Sequence, residues 1–165
     1  MLKGRRFLLS TSLAMAFALL SAGGSLRAQS ANADILTNKG PDRAQRLLEG
    51  ASNEGEVVFY SAMITNQALR PMADAFQKKY PKIKMTFWRA DSEDIAAKLS
   101  AEIRANRLMA DVVEGTGIGE IAVQAGFAQP VWSPELDNIP SRIRDSRSLW
   151  APTRMSYFSA AYNTN

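Results

Sequence analysis

The residues in this sequence that could do chemistry sit at the ends of apolar runs. Ser61-Ala62 closes one run, Arg89 leads through Ala90 to Asp91 and Ser92 after a second, and Glu114-Gly115-Thr116-Gly117 follows a third. The chain has no histidine and no cysteine. That excludes thiolate catalysis, a Ser–His–Asp triad within the chain and Cys/His zinc sites. Ser61 therefore has no imidazole to activate it. Asp91, Asp94 and Glu114 read more simply as helix caps and a strand-end carboxylate than as an acid–base pair. Gly115-Thr116-Gly117 is too short to be a phosphate loop and is explained by a tight turn. Arg89 has carboxylates beside it at Asp91 and Glu93. Taken singly, each residue has a structural explanation; taken together, they share one position relative to the apolar runs. Each group leads into a predicted helix, whose first N–H groups and partial positive charge suit anionic or polar oxygen ligands.

The elements that must position these residues follow from periodicity. Asp42 to Ser52 predicts a short helix with Ala44, Leu47 and Leu48 on one side, its end bracketed by Gly50 and Gly55. Glu56 to Ala62 is a compact run of β-branched and aromatic residues, as expected of a buried strand. Thr65 is a candidate N-cap for a helix carrying Leu69, Met72, Ala73, Phe76 and Tyr80, stopped by Pro81. Ile83 to Trp88 alternates as a second strand, which places one of Phe87 and Trp88 in the core. Asp91 and Ser92 can cap a helix with Ile95, Leu99 and Ile103 on one face, and Asp91 with Asp94 approximates a capping box. Ala110 to Glu114 is a third strand, and Ile118 to Ala125 a short helix ended by Gly126. Residues 128–153 are irregular and proline-rich, and Met155 to Tyr162 reads as a further strand. Successive β-α units imply an α/β fold with a parallel sheet, whose ligand crevice lies beyond the carboxyl ends of the strands.

The 165 residues suffice for one domain with a sizeable core. The formal charge of +4 comes from 20 Lys and Arg against 16 Asp and Glu. Four of those basic residues, Lys3, Arg5, Arg6 and Arg27, lie in the first 28 positions with no acid, so the remainder is neutral. A nucleic-acid binder would need a surviving basic patch, and the scattered charges do not supply one. Residues 1–28 have the three zones of a secretory signal: a basic start, the apolar stretch Phe7 to Ala22, and small residues before Ala28. Cleavage after Ala28 or, alternatively, after Ala33 fits. The apolar stretch is interrupted by Ser10, Thr11 and Ser12 and falls short of the roughly 20 residues a membrane span needs. The expected location is the periplasm, by the general secretory route or, given Arg5-Arg6, by twin-arginine export.

The leader, then EGEVVFYSA, a helix ending in FQKKYPKIK, RADSEDIAAKLSAE, ADVVEGTG and SYFSAAYNTN, in that order and spacing, resembles the family 1 extracellular solute-binding proteins of ABC transporters, with the ferric-iron binders the nearest in kind. The resemblance implies a type II periplasmic binding fold, two lobes about a ligand cleft. Residues 29–165 would then be the N-terminal lobe, stopping before the second. It also implies a cleft wall made of Ser61, Ala62, Arg89, Asp91, Ser92, Glu114, Gly115, Thr116 and Gly117. Tyr162 would stand on the strand crossing to the second lobe. The implied partners are a small solute and an inner-membrane permease, the protein being a monomer with no cofactor of its own. The implied solute is ferric iron or a small anion such as a phosphonate, sugar phosphate or carboxylate. Iron-binding relatives often place His or Tyr after the first strand, where this chain has Ala62-Met63-Ile64; Tyr60 lies within the strand. Competing readings are a fragment of such a protein without transport activity, and a secreted hydrolase.

Overall fold

The computed structural model describes residues 34–155 and 159–163. The leader at 1–28 and both cleavage positions lie outside the described residues. Among the described residues no helix is long and apolar enough to cross a membrane. The described elements run α1 (Arg43–Glu54), β1 (Glu56–Ser61), a π-helical turn (Thr65–Leu69), α2 (Arg70–Lys79), β2 (Lys84–Arg89), α3 (Ser92–Arg104), β3 (Val112–Glu114) and α4 (Ile118–Gln124). Two short 3-10 turns follow at Pro134–Asn138 and Ser141–Ile143.

The α/β class expected from the sequence is what the chain adopts. Three parallel strands form one sheet in the order β2-β1-β3, with β1 in the centre. Alternation along β1 sends its side chains to opposite faces. Tyr60 joins Ile95 and Leu99 of α3, Ile118 of α4, Ala90 and Ala110 in one buried cluster. Phe59, directed to the other face by the alternation, is buried, and Leu69 and Ile83 are likewise buried outside the Tyr60 cluster. Leu69, Ile95 and Ile118 are essentially sealed from solvent, and burial of each such side chain stabilises by about 1.5–3 kcal/mol.

Several local expectations shift for physical reasons. Ile64, not Thr65, is the extended residue before the second helix, and Thr65 starts the π-helical turn. Asp91 occupies the N-cap of α3 without a side-chain cap bond, so the capping box with Asp94 is not made. β3 begins at Val112 rather than Ala110, because Asp111 grips the neighbouring strand from outside the ladder. Its N–H donates to the Val58 carbonyl at 3.0 Å, and its Oδ2 accepts from the Val58 N–H at 2.8 Å. Neither Phe87 nor Trp88 enters the core: β2 is an edge of the described sheet, and Trp88 lies edge-on to Tyr60 at 5.2 Å while 37% exposed. Of the strand expected at Met155 to Tyr162, residue 155 and residues 159–162 belong to no strand, and 156–158 lie outside the described residues.

Candidate functional site

Register decides what meets at the carboxyl end of the sheet. Ser61, the last residue of β1, is level with Arg89 of β2 on one side and Glu114 of β3 on the other. The loops after all three strands therefore share one rim. Because β2 and β3 lie on opposite sides of β1, the chain reverses its winding there, and the gap between β1 and β3 is the point where open α/β sheets leave a crevice.

That gap is held together by Glu114. Its carboxylate is buried and accepts the Ser61 hydroxyl at 2.7 Å and the Ala62 N–H at 3.1 Å through Oε2. Oε1 faces the Thr153 hydroxyl at 3.5 Å and Arg154 Nε at 3.2 Å. The Ser61 hydroxyl also accepts the Met63 N–H at 3.1 Å, which turns the chain away from the strand. Ser61 is wholly buried, so its hydroxyl is out of reach of any substrate in this arrangement. Thr153 and Arg154 were not singled out from the sequence, because the aperiodic segment before them gives no signal of where it docks.

A second link ties the other two loops. Ser92 Oγ accepts the Thr116 N–H at 2.9 Å, joining the start of α3 to the β3–α4 turn. Gly115 makes that approach feasible: a Cβ there would lie 2.9 Å from both Ser92 Oγ and Ile118 Cγ1. Gly117 turns the chain at φ +75°, a conformation side chains rarely tolerate, and opens α4. Arg89 pairs with Asp91 at 3.0 Å in an exposed ion pair. Thus Ser61, Ala62, Arg89, Asp91, Ser92, Glu114, Gly115, Thr116 and Gly117 all gather at the rim. Tyr162 is 85% exposed, and no hydrogen bond joins it to these residues.

The links consume donors that the sequence left open for a ligand. The N–H groups of Ala62, Met63, Ala90 and Thr116 all have protein acceptors. The first turn of α3 carries Glu93 and Asp94, which oppose an anion at that helix start. The rim's cationic side chains are Arg89 and Arg154, each in a partly exposed pair. Among the described residues no three His, Cys, Asp or Glu side chains gather to hold a metal ion.

Tyr60 belongs elsewhere. Its hydroxyl donates to Glu102 Oε1 at 2.9 Å, and Lys98 Nζ reaches the same oxygen at 2.8 Å while lying over the Tyr60 and Trp88 rings. Burial, then the Glu102 hydrogen bond, raises the Tyr60 pKa. Burial pushes Glu102 up, but Lys98, the Met109 N–H and Tyr60 outweigh it and hold the carboxyl below its ordinary range. The bond to Glu102 raises Lys98 despite opposing desolvation. The phenol is thereby kept protonated in a structural cluster on the α3 side of the sheet.

No family model matches this chain, and no curated protein matches it. A solved structure, described as Trichodesmium IdiA (FutA) in complex with iron and citrate ligands, is similar at 28% sequence identity with a TM-score of 0.49. The match covers 59% of this chain and 30% of that one, so this chain is matched to less than a third of that structure's length.

Proposed function

We propose that this chain forms the first lobe of an exported, type II periplasmic solute-binding protein that captures a small oxyanion, free or accompanying ferric iron, and delivers it to an ABC permease. The observation that carries the reading is the alignment of three parallel strand ends in one register, with the β1–β3 reversal at Ser61 and Glu114. The secretory pattern of residues 1–28 and the ordered resemblance along the mature chain support it. Arg89 supplies the ligand contact at low cost, since an exposed ion pair to Asp91 is worth about 0–1 kcal/mol and is readily exchanged for a bound anion. Thr116 and Gly117 form the adjoining wall. Glu114, saturated by internal donors, positions the loops rather than touching the solute. With no three-carboxylate cluster among the described residues, ferric iron would be held at this rim through its supporting anion. Closure of a second lobe over the rim would bury the solute and create the form the permease recognises.

The test is titration of the native periplasmic protein with ferric citrate, citrate alone, phosphate and methylphosphonate, followed by tryptophan fluorescence and by iron content. Saturable binding of at least one, weakened about tenfold or more by Arg89→Ala, is expected. Binding of citrate only with iron identifies the metal as cargo; binding without it identifies the anion. An unchanged affinity in Arg89→Ala for every solute that binds would overturn the assignment. An intact mass above that of residues 29–165 is expected for the two-lobed protein.

A further inference from the structure

Register partners in a parallel sheet send their side chains to the same face. Ser61 alternates with Tyr60, so it points away from the α3 side, and its partners Arg89 and Glu114 share that face. The Ser61–Glu114 hydrogen bond places Glu114 there directly. Two strand spacings, about 10 Å, separate the Cα atoms of Arg89 and Glu114. Arg154 adds to the far end of this row, its Nε 3.2 Å from Glu114 Oε1. The rim therefore carries one guanidinium on each side of β1.

The two ion pairs differ in what they leave open. Arg89 meets Asp91 through one terminal nitrogen at 3.0 Å, and both partners are exposed. Arg154 meets Glu114 through Nε, and its two terminal nitrogens make no hydrogen bond among the described residues. Glu114 is not free to follow a ligand, because it is buried and also holds the Ser61 hydroxyl and the Ala62 N–H. It thus fixes one edge of the Arg154 guanidinium. The outer end, with parallel N–H groups suited to a carboxylate, remains on a side chain that is 47% exposed.

Among the described residues, the donors between the two guanidiniums are spent. The Ser61 hydroxyl is buried, and the N–H groups of Ala62, Met63, Ala90 and Thr116 have protein acceptors. A compact anion such as phosphate is held by donors that converge on it, and this rim offers two separated forks instead. Glu93 and Asp94 open α3, which packs on the Tyr60 face, opposite the row of arginines. We propose that the solute of this rim is a dicarboxylate with a short carbon spacer. One carboxylate replaces Asp91 on Arg89, and the other takes the terminal nitrogens of Arg154, which becomes the specificity-determining residue. The inference rests on the solute-binding reading and narrows its oxyanion to this class.

The test is calorimetric titration of the native periplasmic protein with succinate and with glutarate, each beside its monoamide, which keeps the shape and drops one charge. At least one diacid is expected to bind about tenfold or more tightly than its monoamide. Arg154→Gln should bring that ratio within about threefold. Arg154→Lys keeps a cation beside Glu114 but has no fork; it should lower the ratio by about threefold or more and serves where Arg154→Gln does not fold. A purely structural role for Arg154 would weaken diacid and monoamide alike, and an unchanged ratio in the variants would overturn the proposal. So would Arg89-dependent binding of phosphate or methylphosphonate by a protein that holds neither diacid better than its monoamide, and the solute-binding reading would then stand without it. Failure of every one of these solutes to bind would sink both.

Discussion

The Ser61 hydroxyl and the Glu114 carboxylate meet at 2.7 Å inside the rim, although 53 positions separate them in the chain. Both are shielded from water, so the Ser61 proton relies on Glu114 as its acceptor, while Glu114 is also held by the Ala62 N–H, Thr153 and Arg154. Ser61→Ala should cost about 1 kcal/mol. Glu114→Gln should cost about 1–3 kcal/mol, because an amide nitrogen then faces donors that need an oxygen. Urea unfolding of the two single variants and the double variant should give a coupling energy above about 0.5 kcal/mol. Additive losses would show that the contact is incidental.

Gly115→Ala tests the link between the α3 start and the β3–α4 turn. The added methyl would sit 2.9 Å from Ser92 Oγ and Ile118 Cγ1, and Ile118 is too tightly packed to yield freely. A loss of about 1–3 kcal/mol in thermal or urea unfolding is expected. Faster amide exchange at Thr116 should accompany it, since its acceptor is displaced.

Gly119 performs a similar service for the irregular segment. A Cβ there would meet the Trp150 ring at 2.9 Å, so the absence of a side chain lets the indole lie on α4. Gly119→Ala should push Trp150 outward and red-shift its fluorescence. The Val131 N–H, bonded to the Ser148 carbonyl at 3.0 Å, should lose exchange protection with it. Unchanged protection at Val131 would mean that the segment is anchored by Arg154 and Thr153 without help from the tryptophan.

The Tyr60–Lys98–Glu102 cluster predicts a defined pH dependence. Glu102 is held below its ordinary pKa, so its contribution is complete above that ordinary value and is lost as pH falls through the lowered one. Tyr60 and Lys98 are raised, so theirs is complete below their ordinary values and is lost as pH rises through the raised ones. Unfolding free energy measured from about pH 2 to about pH 11 should fall on both flanks. Glu102→Gln should flatten the acid flank and cost about 1 kcal/mol at neutral pH. An unaltered acid flank in that variant would assign it to other carboxylates.

The strand and helix periods were legible because burial imposes them: Phe59 and Tyr60 on opposite faces, Ile95 and Leu99 one turn apart. The gathering of Ser61, Arg89 and Glu114 at one rim was also legible, since strand ends in a parallel sheet must align. What the sequence concealed was competition among polar groups. Asp91 and Ser92 have the right types for caps, yet Asp91 goes to Arg89 and Ser92 to Thr116. Thr153 and Arg154 reach Glu114 from a stretch with no period, and Arg43 reaches Trp132 across 89 positions. Contacts of that kind have no local signature. The apolar side of α1 was read correctly as a stripe, but a stripe does not say whether protein or a cavity covers it.

The central place of β1 gives the rim an order of assembly. Glu56 and Thr86, bridged by a hydrogen bond across β1 and β2, are 30 positions apart, whereas Ser61 must wait for a partner 53 positions away. Until β3 arrives, the Ser61 hydroxyl and the Ala62 N–H lack the carboxylate that receives them, and the Met63 turn hangs on a serine that is itself unanchored. A chain that has completed its first crossover thus has the β1–β2 pairing but not the links that shape the rim. Those links form together, when the third strand brings Glu114 to Ser61.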